Sequence, residues 1–143
     1  MRRYAAWVIG TAVQNNPKAQ RHLLQYKGIK RLIEKLGDEY PVRAKALYAL
    51  SCALAHFPDG VKQFNEANGW KALRDSMEGV DEGVECQRRV AFFISNHLAE
   101  DDPCTKEIDE HGFLEGMVKI LNDERYASED DLLEKVLLLF DLG

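Results

Sequence analysis

An all-α solenoid of three-helix repeats is the fold class this sequence predicts, and two observations carry the expectation. The strings Ala5–Pro17 (Ala-Ala-Trp-Val-Ile-Gly-Thr-Ala-Val-Gln-Asn-Asn-Pro), Ala46–Pro58 and Ala91–Pro103 align without a gap, and each is followed by a segment that ends in Gly28, Gly69 or Gly112. The prolines stand 41 and 45 residues apart and the glycines 41 and 43, a period that belongs to arrays of helical units. Apolar residues also recur at helical spacing through Val42, Ala46, Leu47, Leu50 and Leu54, and again through Val90, Phe93, Ile94 and Leu98. No stretch alternates every second residue as a half-buried strand would.

The elements follow in order. A long helix over 4–16 reads as the last third of a truncated repeat. Proline has no amide hydrogen for a helix interior but fits a first turn, so Pro17, Pro58 and Pro103 each end a long helix and open a short one. Asn16 and Asp102 are suited to cap those starts. Gly28, Gly69 and Gly112 then divide the short helix from the next, where a left-handed or tightly turned backbone is cheapest for glycine. The single domain, 1–143, thus holds the 1–16 remnant and repeats at 17–57, 58–102 and 103–143. Each repeat has a short helix (17–27, 58–68, 103–111), a middle helix (29–36, 70–77, 113–122) and a long one (42–57, 85–101, 129–142).

Composition excludes several rival classes. No apolar run reaches the roughly 18 residues of a membrane helix. A net charge of -5 sets the chain as a whole against nucleic acid and anionic lipid. Cys52, Cys86 and Cys104 are an odd number at spacings that suit neither a disulfide framework nor a zinc ribbon. A reducing compartment, the cytoplasm before the endoplasmic reticulum lumen, is expected.

The third helix of the unit, with its string Ala46-Leu-Tyr-Ala-Leu-Ser-Cys-Ala-Leu-Ala, resembles that of an armadillo repeat. The resemblance implies a right-handed superhelix whose inner face is lined by the long third helices, each unit burying its apolar stripe against its neighbours. Armadillo proteins that hold extended peptides carry on this helix a tryptophan and, four residues on, an asparagine. The corresponding pairs here read Trp7/Thr11, Tyr48/Cys52 and Phe93/His97, with Asn96 one residue out of register. The aromatic ladder is kept and the asparagine ladder is absent, so peptide main-chain recognition is not expected.

A fuller resemblance rests on Val8-Ile-Gly-Thr-Ala-Val-Gln-Asn-Asn16, Gly28-Ile-Lys-Arg-Leu-Ile and Val42-Arg-Ala-Lys-Ala-Leu-Tyr-Ala-Leu-Ser51. These strings are similar to the armadillo-type nucleotide-exchange factors of the heat-shock-seventy (DnaK-type) chaperone, the Hsp-binding-protein family. The resemblance implies a non-enzymatic protein that clasps one lobe of the chaperone's ATPase domain, distorts its nucleotide cleft and releases ADP. It also implies that the chain is a core fragment, since family members extend further at both ends. The alternative is an armadillo scaffold for another protein partner.

Residues four apart share a helix face, which gives inner-face rows Arg3-Trp7-Thr11-Asn15, Ala44-Tyr48-Cys52-His56 and Arg89-Phe93-His97, flanked by Arg43, Lys45 and Arg88. Aromatic and arginine side chains are what interface hot spots are usually made of. Trp7, Arg43, Lys45, Tyr48, Arg89, Phe93 and His97 are therefore the candidate partner-binding residues. Arg89 also falls where the family has a chaperone-contacting arginine. Tyr48 and Phe93 equally suit core packing, and the arginines suit solvated helix ends. Cys52 and His56 are spaced like a nucleophile and base but lack an orienting third group. The cysteines and histidines lack metal-ligand spacing, and no glycine-rich phosphate loop is present, so no cofactor, metal or bound nucleotide is expected. The acidic runs, Glu78-Asp81-Glu82-Glu85 among them, suit loops and first helical turns, where carboxylates favour the helix dipole. Solenoid ends need a polar cap, yet Trp7-Val-Ile and Leu132–Phe140 are apolar. Weak self-association or fraying of the terminal helices is expected.

Overall fold

Pro17 and Pro58 each occupy the first position of a short helix in the computed structural model of this chain, which describes residues 1–78, 84–97, 104–130, 133–134 and 136–137. Helix α1 (Arg2–Val13) is followed by α2 (Pro17–Gln25), α3 (Gly28–Glu34), a 3-10 turn at Lys35–Gly37, and α4 (Tyr40–Leu54). Then come α5 (Pro58–Glu66), α6 (Gly69–Glu78), α7 (Val84–Ser95), α8 (Thr105–Glu110), α9 (Phe113–Leu121) and a 3-10 turn at Glu124–Tyr126. Residues 130, 133–134 and 136–137 are also helical, and no strand occurs among the described residues. Pro103, the cap Asp102, Asp81, Glu82, Leu98 and most of the apolar run at 132–140 lie outside the described residues.

The chain divides into two compact units, Met1–Ser76 and Met77–Gly143. In the first, α1 lies along α4, with α2 and α3 against each other and against α5. Its core is the apolar stripes that the sequence periodicity marks: Ala6 and Val13 of α1, Ile29, Leu32 and Ile33 of α3, and Val42, Ala46, Leu47, Leu50 and Leu54 of α4. In the second unit Val90, Ala91 and Ile94 of α7, Ile108 of α8, and Phe113 and Met117 of α9 are buried.

The joints repeat. Gln14 and Asn15 form a type II turn after α1, with φ -60, ψ 120 at Gln14, φ 52 at Asn15 and the Asn16 N–H donating to the Val13 carbonyl at 3.1 Å. Ala55 and His56 repeat it after α4, with φ -60, ψ 119, then φ 53, and the Phe57 N–H on the Leu54 carbonyl at 3.2 Å. That turn ends α4 at Leu54, three residues before the expected boundary, and removes His56 from the helix. The row Ala44-Tyr48-Cys52-His56 therefore stops at Cys52. Asn16 caps α2, its Oδ1 accepting from the Ala19 N–H at 3.1 Å. Gln20, buried on α2, donates through Nε2 to the carbonyls of Cys52 (2.9 Å) and Ala55 (3.0 Å). It thereby supplies a donor to one carbonyl in the last turn of α4 and to that of the capping Ala55, where a helix end is short of its own donors.

The dividing glycines behave differently from the expectation in two of three repeats. The left-handed residues are Lys27 (φ 56) and Asn68 (φ 56), each just before the glycine, and only in the third repeat is it the glycine, Gly112 (φ 69). Gly28 and Gly69 are instead the first helical residues of α3 and α6. A Cβ on Gly28 would overlap the Leu23 side chain, and one on Gly69 the Phe64 ring. Both glycines permit close approach. Phe64 in turn meets Trp70 edge to face, with centroids 5.2 Å apart and an 85° interplanar angle, a favoured aromatic geometry.

Candidate partner-binding surface

Within the first unit the open face of α1 and α4 is built around a glycine. A Cβ at Gly10 would lie 2.5 Å from Tyr48 Cε1 and 3.1 Å from Ala49 Cα, so only glycine lets the Tyr48 ring lie against α1. The ring is half-buried, and its hydroxyl reaches toward Gln14 Oε1 at 3.4 Å. Trp7 stands 50% exposed on α1, and the hydroxyl of Thr11, four residues on, donates to the Trp7 carbonyl at 3.0 Å. Arg3 lies over the Tyr4 ring, its Cζ 4.7 Å from the centroid. Lys45 is partly exposed on the Tyr48 face of α4. Arg43 departs from the expectation: it is 8% exposed and offers little surface to a partner.

In the second unit the open residues of α7 differ from those expected. Phe93 is 1% exposed and His97 9%, with ring centroids 5.0 Å apart. The expectation that Phe93 and His97 present an open face is thus corrected, because both rings pack inside. Phe92 is the exposed aromatic, at 49%, and Arg88 and Arg89 are partly exposed.

Burial explains the discrepancy. The buried residues Val42, Arg43, Ala46, Leu47, Ala49, Leu50 and Ala53 of α4 match the buried Cys86, Gln87, Val90, Ala91, Phe93, Ile94 and His97 at an offset of 44, with buried Ala44 against partly exposed Arg88 as the exception. Lys45, Tyr48 and Cys52 then correspond to Arg89, Phe92 and Asn96. The proline alignment, at an offset of 45, is rotated by one residue, about 100° around a helix. Asn96 is exposed and in register with Thr11 and Cys52. Phe92 on α7 and Asn96 in the turn just after it are therefore one aromatic/asparagine pair at this spacing, while Thr11 and Cys52 hold the other two positions and make no asparagine ladder. Phe92 is the exposed aromatic that the proline alignment passes over. Its signal lies in the offset of the apolar pattern, as distinct from that of the prolines.

His56 lies in the turn after α4, so Cys52 and His56 do not share a helix face as the four-residue spacing suggests. Among the described residues no group of three histidine, cysteine, aspartate or glutamate side chains could hold a metal ion, and no helix is long and apolar enough to cross a membrane.

With this geometry in place, comparison with known proteins identifies the family. The profile of the SIL1/FES1/HPBP1 C-terminal domain matches residues 1–112. The chain belongs to the SIL1/FES1/HPBP1 family. Similar relatives are the Hsp70 nucleotide exchange factor FES1 of Mycosarcoma maydis, 44% identical over 98 residues (68% of this chain, 25% of the relative), and that of Scheffersomyces stipitis, 37% identical over 142 residues (96% and 48%). The Yarrowia lipolytica FES1 is 29% identical over 147 residues, covering all of this chain and 52% of the relative. This SIL1/FES1/HPBP1 chain thus spans about half, or less, of the length of these curated relatives. The crystal structure of an engineered protein from the Northeast Structural Genomics Consortium matches 94% of the chain and 52% of its own at a TM-score of 0.77 and 21% identity. That likeness bears on the fold alone, an all-helical, armadillo-like repeat.

Proposed function

We propose that this chain binds the ATPase domain of an Hsp70 chaperone and promotes the release of its ADP, with no chemistry of its own. The observation that carries the reading is the family match over residues 1–112, together with relatives named as Hsp70 nucleotide exchange factors. The exposed side chains of each unit agree with it. In the first unit Trp7 and Tyr48 stand on long helices with Lys45 partly exposed on the Tyr48 face, and in the second Phe92 stands on α7 with Arg89 partly exposed; aromatic and arginine side chains are enriched in the hot spots of protein interfaces. Arg43 is buried in the first unit, and Phe93 and His97 in the second.

Exchange by such a protein is a linkage effect. If it binds the chaperone more tightly when the nucleotide cleft is open, it weakens ADP by the same factor by which ADP weakens it. Such a protein needs a rigid surface and no reactive group. The odd number of cysteines supports a cytoplasmic location. The exposed Tyr4, Trp7 and Val8 of α1 support weak self-association.

Calorimetric titration of the chain into the isolated ATPase domain and into the isolated substrate-binding domain tests the assignment. Binding to the ATPase domain that weakens as ADP is added is expected. Binding confined to the substrate-binding domain, or unaffected by ADP, would contradict it.

A further inference from the structure

The cations of this acidic protein are concentrated on one pair of helices. Residues 17–36 carry Lys18, Arg21, Lys27, Lys30, Arg31 and Lys35 against a single carboxylate, Glu34, whereas the corresponding helices of the next repeat set Lys62, Lys71 and Arg74 against Asp59, Glu66, Asp75 and Glu78. Lys18 and Arg21 share the open stripe of α2, and Lys27, Lys30 and Arg31 that of α3; all five are exposed. None of the five meets a carboxylate within 4 Å among the described residues, although Lys35, Lys71 and Lys106 do. Unneutralised like charges held together repel one another, and this chain has carboxylates enough to neutralise them.

Lys27 adds a second, independent observation. It sits in the left-handed region at φ 56, a position that the other two repeats give to Asn68 and Gly112, residue types that adopt this backbone readily. A lysine held in that conformation is strained, and such strain concentrates where a side chain is needed for function. Lys27 and Lys30 also line a cavity of about 260 Å³ with Gln63, Glu66 and Ala67, and Gln63 Oε1 is buried there with no hydrogen-bond partner.

We propose that the exposed basic face of α2 and α3 is a second docking surface, distinct from the open face of α1 and α4 in the same unit, which takes an aspartate- and glutamate-rich segment of a partner protein. Carboxylates of that segment meet Lys27, Lys30 and Arg31. The patch is short, since α2 and α3 have nine and seven residues and thus measure roughly 10 to 14 Å. The rest of the chain is acidic and would repel an extended polyanion such as RNA or an anionic bilayer, so the charge distribution favours a short acidic segment.

Fluorescence anisotropy with a fluorescein-labelled (Glu-Asp)4 peptide tests this, with (Gln-Asn)4 as the neutral control. Saturable binding of the acidic peptide alone, weakening as salt rises, is expected. Lys27→Gly removes the charge and relieves the backbone strain, so the variant should fold at least as stably while binding about two- to fivefold more weakly. Lys30→Ala/Arg31→Ala should weaken binding further, and Lys106→Ala, on α8, should leave it unchanged. Absence of salt-sensitive peptide binding, equal loss in Lys106→Ala, or full affinity in the Lys27 and Lys30/Arg31 variants would overturn the proposal. So would tight binding of single-stranded RNA or phosphatidylserine vesicles by a chain that ignores the peptide.

Discussion

Phe92 and Phe93 are adjacent in sequence and nearly opposite in burial, at 49% and 1% exposure, so alanine at each position should report a different property. Phe93→Ala removes a ring packed among core side chains and against His97, and such truncations cost about 3 to 5 kcal/mol. For a chain of this size each kcal/mol lowers the melting temperature by roughly 2 to 4 °C or more, so a fall on the order of 10 °C is expected. Phe92 has only half of its ring to lose. Full burial of a phenylalanine stabilises by about 1.5 to 3 kcal/mol, which makes the cost of Phe92→Ala roughly 1 kcal/mol. If Phe92 anchors Hsp70, its removal should weaken binding by at least about 2 kcal/mol, or some thirtyfold. Urea unfolding and calorimetric titration with Hsp70 measure the two quantities. Equal destabilisation by both substitutions, or loss of binding through Phe93→Ala in a protein of unchanged stability, would show that the offset of 44 is wrong.

Other perturbations follow from the same structure. Gly10→Ala drives a methyl into the Tyr48 ring, an overpacking cost of about 1 to 3 kcal/mol less the roughly 1 kcal/mol gained in helix propensity; a double-mutant cycle with Tyr48→Ala should show coupling, and simple additivity would refute the contact. Gln20→Ala leaves the Cys52 and Ala55 carbonyls without their donor and should cost about 1 to 3 kcal/mol in denaturant unfolding. Arg89→Ala should weaken Hsp70 binding by about 2 to 5 kcal/mol, chiefly through faster dissociation in surface plasmon resonance, with Lys119→Ala on α9 as the unaffected control. The side-chain and backbone hydrogen bonds from Arg125, with Nη2 2.7 Å from Oδ2, hold the Asp123 carboxyl below its ordinary value of 3.8. A folded value below the unfolded one means that this contact stabilises above about pH 4 and is lost as pH falls through the folded value. NMR titration of the carboxyl should show the depression, and Arg125→Ala should reduce it without abolishing it, because the backbone N–H at that position still donates to Asp123 Oδ1.

Most of the helical array was legible because proline punctuation and apolar periodicity act locally. Pro17 and Pro58 begin helices for want of an amide hydrogen, and Asn16 caps as its side chain allows. The left-handed backbone was harder to assign. At Lys27 and Asn68 it falls one residue before the glycine, since Gly28 and Gly69 answer a packing demand from Leu23 and Phe64 that no local rule contains. The end of α4 is set by the same kind of demand: Ala55 is a strong helix former that gives no local stop signal, and its carbonyl is bonded by Gln20 from another helix. Of the side chains that helical spacing selects for an open face, Trp7, Lys45, Tyr48 and Arg89 are all at least partly exposed. Phe93 and His97 were assigned to the open face by aligning prolines, although burial follows the apolar stripe. Arg43 illustrates a further limit, because an arginine read as a solvated flank is buried in the assembled unit.

The most direct test of the central claim is stopped-flow release of a fluorescent ADP analogue from purified Hsp70, chased with unlabelled ATP, with and without this chain. Release that accelerates with chain concentration and saturates, and that is lost with Phe92→Ala but retained with Lys119→Ala, is the predicted result. An unchanged release rate at concentrations where calorimetry shows the two proteins fully bound would contradict it.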